Sequence, residues 1–221
     1  MPRVCVNLFQ SLVVLVVASF TLWSCGKAEP HVVVSKSPAS VETRYVEDLP
    51  EGEESPLSED EEALTDWEFG CKTEFEFDIL EKSELADEIL VTVRIKKASL
   101  SLDAPIVVWL PKGAGEDLVR HEEAHVAICK RVYRGAEGIA RSGADSVLKR
   151  DFQGSGKTLQ AAIKDGLARA SKQICSNYHL QMVEKINRIS EVFDTLDRDN
   201  PNMDHKQLME LAFEKYSLIK D

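Results

Sequence analysis

Positive charge is what this chain has least of. Its 27 Lys and Arg stand against 38 Asp and Glu, a formal net charge of -11. A protein that grips a phosphate backbone needs a basic footprint, so nucleic acid is excluded as a partner, and an anionic membrane surface is electrostatically disfavoured. Cysteine is sparse as well. Five in 221 residues are too few for a fold held by a disulfide framework. No internal repeat is visible, and no Ser has the His and Asp company of a nucleophilic triad. A nucleotide loop is also missing. Gly154-Ser155-Gly156-Lys157-Thr158 looks like the end of one, but Asp151 stands where its first Gly belongs and no buried strand precedes it. The stretch reads better as a flexible turn into a helix. Asp197 to Asp204 is rich in oxygen donors but lacks the Gly and the terminal Glu of a calcium loop, and reads as a turn with a helix cap.

What is present suffices for a packed core. The apolar fraction is 43% and the length suits one domain with tails. Residues 1–25 read as an export signal: a short positive start at Arg3, an apolar run from Leu8 to Leu22, then Leu22-Trp23-Ser24-Cys25-Gly26. This resembles a bacterial lipoprotein signal, with Trp23 in place of the usual smaller residue. It implies a lipidated Cys25 that anchors the chain to a bacterial membrane in the cell envelope. The alternative is an uncleaved anchor, since Val4 to Trp23 is long enough to span, though Asn7 and Gln10 weaken it. Residues 26–65 carry four Pro and nine acids between Glu47 and Glu62, with no Lys or Arg in that run. Such a segment repels itself and reads as a flexible tether. The globular domain is then 66–221. Outside the cytoplasm disulfides are permitted. With Cys5 in the leader and Cys25 lipidated, Cys71, Cys129 and Cys175 remain, and Cys129–Cys175 is the first expectation.

Period-two alternation marks strands. Phe69, Cys71, Thr73, Phe75 and Phe77 alternate with polar residues or Gly, Ile89, Val91, Val93 and Ile95 alternate with Leu90, Thr92, Arg94 and Lys96, and Ile106 to Leu110 forms a third short run. Together they predict a small antiparallel meander. Spacings of three and four then predict helices over 116–134, 157–176, 179–196 and 204–219. Small residues from Gly135 to Ala144 suggest a loosened helix or close helix packing. Strands followed by helices make the fold class α+β.

The chemistry sits in His121-Glu122-Glu123-Ala124-His125, an H-E-x-x-H pattern on a predicted helix. Residues four apart share a helical face, so both imidazoles can reach one ion, Zn²⁺ above all. Glu122, one residue on, can take a proton from water as that water attacks a carbonyl and pass it to the leaving amine.

The motif resembles the zincin metallopeptidases. More narrowly, the Trp-and-strand block with a Cys, the strand closing in Leu110-Pro111, and His121-Glu122-x-x-His125 resemble a bacterial family of predicted secreted zinc-dependent proteases, over about residues 66–135. The resemblance implies a minimal zincin-like domain acting on a peptide or protein substrate. Family members tend to carry a later Tyr-Asp…Thr-x-His-Gly stretch. Phe193-Asp194 answers to Tyr-Asp here, but Asp199-Asn200 stands where His-Gly would follow.

The third ligand is therefore open. His205 stands beside Asp204, which could orient its ring. His179 extends the apolar stripe of Met182, Ile186 and Ile189 and should face inward. Asp194 and Asp199 are further candidates, while Glu184 falls on the wet face. The expected function is zinc-dependent peptide hydrolysis outside the cytoplasm. The alternatives are a non-catalytic envelope lipoprotein acting as a binding or scaffold module, and a cell-wall peptide amidase with the same chemistry.

Overall fold

The computed structural model describes residues 31–58, 61–148 and 150–219. The leader and Cys25 lie outside the described residues. Among those described, no helix is long and apolar enough to cross a membrane.

The fold is mixed α and β, with two small mixed sheets and four helices among the described residues. Seven strands run in chain order: β1 Val32–Lys36, β2 Ser40–Tyr45, β3 Leu64–Trp67, β4 Gly70–Glu84, β5 Ile89–Asp103, β6 Pro105–Leu110 and β7 Asp151–Gly156. The first sheet has the order β1-β5-β4, with β7 also on β5; the second has the order β2-β6-β3.

Two expectations are corrected here. The third apolar run does not complete a meander. β5 continues to Asp103, and only Ala104 separates it from β6. One residue cannot close a hairpin, so the chain cannot fold back and instead enters the second sheet. The tether also is not a tether throughout. β1 pairs parallel to β5 and β2 pairs parallel to β6. The β-branched run Val32-Val33-Val34 drives this, with Val32 buried. The described residues of the acid-rich stretch between β2 and β3 keep the loop character, apart from a short 3-10 turn over Val46–Asp48.

The length of β5 was hidden by a change of phase. Ile95 faces inward, and so do Ala98, Leu100 and Leu102, which no strict alternation allows. The pairing steps from Phe77↔Ile95 to Glu76↔Lys97, leaving Lys96 as an extra residue in a β-bulge. A bulge shifts every later side chain by one position, and so returns the apolar set to the core.

The helices are α1 Glu116–Tyr133, α2 Ala136–Val147, α3 Leu159–Asp199 and α4 His205–Ile219. α3 is one helix of 41 residues, where the sequence suggested two. Tyr178 bridges the gap: Ile174, Tyr178, Met182 and Ile186 are all fully buried at spacings of four. At about 1.5 Å per residue, α3 is about 60 Å long and forms the spine on which the sheets and other helices pack.

The Gly154-Ser155-Gly156 stretch is part of an edge strand, β7, antiparallel to β5. Its glycines serve close packing. A Cβ at Gly154 would collide with the Ala162 carbonyl and the Gly166 amide of α3, and one at Gly156 would lie 2.7 Å from the Ala162 amide. Thr158 then caps α3, its side chain accepting from the Ala161 amide. Gly154→Ala is expected to destabilise the fold by about 1–3 kcal/mol through overpacking against backbone that cannot yield. Chemical denaturation of the variant beside wild type would measure it.

The disulfide joins Cys71 of β4 to Cys175 of α3, not Cys129 to Cys175. Cys175 lies where α3 crosses β4, with a Cα separation of 5.6 Å to Cys71. Cys129 is a free thiol with no exposed surface, and burial pushes its pKa up to about 12.

Candidate metal centre

α1 begins after a turn in which Gly113 adopts φ +81°, a conformation that L side chains rarely take. Glu116 and Asp117 occupy its first turn and Lys130 and Arg131 its last, each sign matching the helix dipole. The helix turns Ala124, Ile128 and Val132 to the core. His121 and His125 stand one turn apart and face the C-terminal third of α3. That helix presents Ser190, Phe193, Asp194 and Asp197, whose spacing puts them on one side.

The two imidazoles meet with their Nε2 atoms 3.1 Å apart. Oδ1 of Asp194 lies 2.9 Å from Nε2 of His125 and 3.7 Å from Nε2 of His121. This oxygen is buried and makes no hydrogen bond. The opposite nitrogens are held from behind. Nδ1 of His121 is 2.9 Å from Oδ2 of Asp197, and Nδ1 of His125 is 3.3 Å from the Ser190 hydroxyl. A carboxylate can only accept, so Nδ1 of His121 carries a proton, and in the neutral ring Nε2 presents the lone pair. Phe193, fully buried, packs its ring 5.2 and 5.1 Å from the His121 and His125 rings and so limits their rotation.

These donors fit a divalent cation. Three donors on a tetrahedral zinc with bonds of about 2.0–2.1 Å stand about 3.3–3.4 Å apart. The observed separations of 2.9, 3.1 and 3.7 Å bracket that value. The Asp194 side chain as a whole is 42% exposed, but its Oδ1 makes no hydrogen bond, and a cation between it and the two nitrogens would give that oxygen a partner. Local electrostatics point the same way. Asp197 lies in the last turn of α3, where the helix dipole opposes negative charge by about 0.3–1 kcal/mol. Two carboxylates converge there on two imidazoles, a donor set able to hold a metal ion.

The other residues singled out from sequence fall as follows. His205 does not join the three donors; its Nε2 is 3.1 Å from Oδ1 of Asp197. With His121 and Asp197 it makes a second His/Asp group whose ligand atoms lie within 4.8 Å of one another. Asp204 does not orient His205. Its Oδ1 caps α4 by accepting from the Lys206 and Gln207 amides. His179 is exposed because Tyr178 takes the inward place, and it sits about 22 Å along the helix from Asp194. Asp199 is exposed at the end of α3. Glu184 pairs with Arg188 on the wet face.

Glu122 is only 5% exposed. Its Oε2 accepts from the hydroxyl of Thr65 on β3 at 2.6 Å, and Thr65 is itself buried. Sequence reasoning missed Asp197, Ser190 and Thr65 as parts of the site. For Asp197 a signal existed: it is three residues beyond Asp194, on the same face if the helix continues. A cavity of about 550 Å³ between the β4–β5 hairpin, β7 and α3 lies near Arg169, far along α3 from the imidazoles. Its two cations are already paired, Lys82 with Glu84 and Arg169 with Asp165, so it does not compete as the functional site.

No protein-family model matches this chain, and neither does any curated protein or solved structure.

Proposed function

We propose that the protein is a zinc-dependent peptidase of the zincin kind, anchored outside the cytoplasm through a lipid on Cys25. His121, His125 and Asp194 would hold the ion. The observation that carries the reading is the buried Oδ1 of Asp194, without a hydrogen bond, facing two imidazole nitrogens 3.1 Å apart. Zinc held there supplies Lewis acidity, lowering the pKa of a bound water to about 7 and polarising a carbonyl.

The chain's own residues do the rest. Asp197 and Ser190 hold the imidazole rings in orientation from behind. Glu122, next to His121 on the same helix, takes the proton of the attacking water and returns it to the leaving amine. Thr65 donates to one oxygen of that carboxylate and leaves the other for the proton. β3 ends the second sheet beside the helix, so an extended peptide could add to it as a strand.

Zinc analysis of the full chain tests the site. Wild type is expected to hold about one zinc per chain, and His125→Ala to hold almost none after dialysis. A wild type without zinc would end the proposal. One observation favours a second reading, a metal-holding envelope module without hydrolysis. Glu122 is buried and already engaged by Thr65, as a structural acid would be.

A further inference from the structure

His205 is better explained by the oxygen it touches than by the ion. We propose that His205 is a positioning residue, the outer anchor of a chain His121–Asp197–His205 that fixes the His121 ring and sets the affinity of the site for zinc. The inference rests on the metal reading above and goes beyond it.

Three observations support it. First, both oxygens of Asp197 are taken by imidazoles, Oδ2 by Nδ1 of His121 at 2.9 Å and Oδ1 by Nε2 of His205 at 3.1 Å. Only the nitrogen opposite Nδ1 on His121 faces His125 and Asp194, so Asp197 and His205 stand behind the ring and not among the donors. Second, Asp197 lies two residues from the end of α3, and its side chain is a quarter exposed. The partners of its carboxylate oxygens, His121 and His205, both lie outside α3, so they set its direction. Third, His205 is well placed to be such a partner. It is the first residue of α4, whose first turn is capped by Asp204 and which is seated by the fully buried Leu208 and Ala212. Its ring meets that of His121 edge-on at 5.9 Å and is 12% exposed.

The chemistry follows from charge. A carboxylate that accepts from Nδ1–H makes the imidazole a stronger donor at Nε2 and locks its tautomer. The Nε2 of His205, 3.1 Å from Oδ1, keeps that carboxylate aimed at His121. An imidazole serving both groups as a bridging ligand would have to lose its Nδ1 proton, which the 2.9 Å contact with a carboxylate oxygen opposes. A second ion between His121, Asp197 and His205 is therefore not proposed.

The test is zinc affinity, read by competition with a chromophoric chelator, on the full chain and its variants. Thermal melts without zinc check that each variant folds. Asp197→Ala should weaken binding about 10–100-fold, the usual effect of removing such a partner. His205→Ala should weaken it by a smaller factor, about 3–30-fold, because the carboxylate remains but is no longer aimed. His205→Gln, which keeps a polar N–H group able to reach Oδ1, should recover most of the loss. Wild-type affinity in His205→Ala would overturn the inference and leave the metal site standing. Loss as complete as in His125→Ala would overturn it too, making His205 a direct ligand. Failure of His205→Gln to recover affinity would refute the role given to the contact with Oδ1. A wild type that binds no zinc would instead sink the metal reading itself.

Discussion

Glu122→Gln is expected to leave zinc binding intact and to lower kcat for peptide hydrolysis about a hundred- to ten-thousand-fold, the range that general acid–base catalysis contributes. Gln has the same shape, and its carbonyl oxygen can still accept from Thr65, so the helix and the site should survive. What it loses is the ability to take a proton. Zinc content and turnover of an unfolded protein substrate, measured on the same preparation, separate the cases. Unchanged hydrolysis would remove Glu122 from the reaction. A wild type that holds zinc and cleaves nothing would favour the non-catalytic module. The buried setting of Glu122 gives this experiment its force. A carboxylate at 5% exposure that is merely structural should cost stability, not turnover, when neutralised.

Breaking the disulfide should give the largest change in stability. Cys71 and Cys175 are 104 residues apart in sequence. By loop-closure entropy, a crosslink over that span restricts the unfolded chain by about 4–5 kcal/mol, with measured values commonly nearer 2–4. Cys71→Ser is therefore expected to lower the melting temperature by about 4–16 °C, since 1 kcal/mol is worth about 2–4 °C at this size. Cys175→Ser and the double variant should match it, because all three remove the same bond. Reducing the wild type should have the same effect. Cys129→Ser serves as the contrast: it leaves the crosslink in place, and any loss there reports a hydroxyl in an apolar core. If Cys129→Ser, rather than Cys71→Ser, reproduced the effect of reduction, the pairing described above would be wrong.

Much of the local structure was legible from pattern. The alternation from Cys71 to Phe77 marks β4, and the three-and-four spacing marks α1, α4 and both halves of α3. These are short-range consequences of where a strand or helix points its side chains. Three misreadings share one cause: the signal lay between elements, not within them. The bulge at Lys96 broke the alternation and concealed half of β5. Tyr178, not counted in the apolar stripe, concealed the continuity of α3. The valines of β1 were masked by the Pro and acidic residues that follow them.

The site divides in the same way. That His121 and His125 share a face is a property of one helix and was readable at once. Which carboxylate meets them was not, because it depends on where α3 crosses α1, some 70 residues away in sequence. Ending α3 early turned Asp197 into a loop residue; continuing it to Asp199 brings Asp194 and Asp197 onto one face, three residues apart. The same crossing leaves His205 behind His121 rather than in front of it. Sequence spacing identifies residues able to bind a metal along a single element. Only the packing of two helices, fixed by buried side chains such as Ile128, Ile189 and Phe193, selects which acid and which ring nitrogen come together.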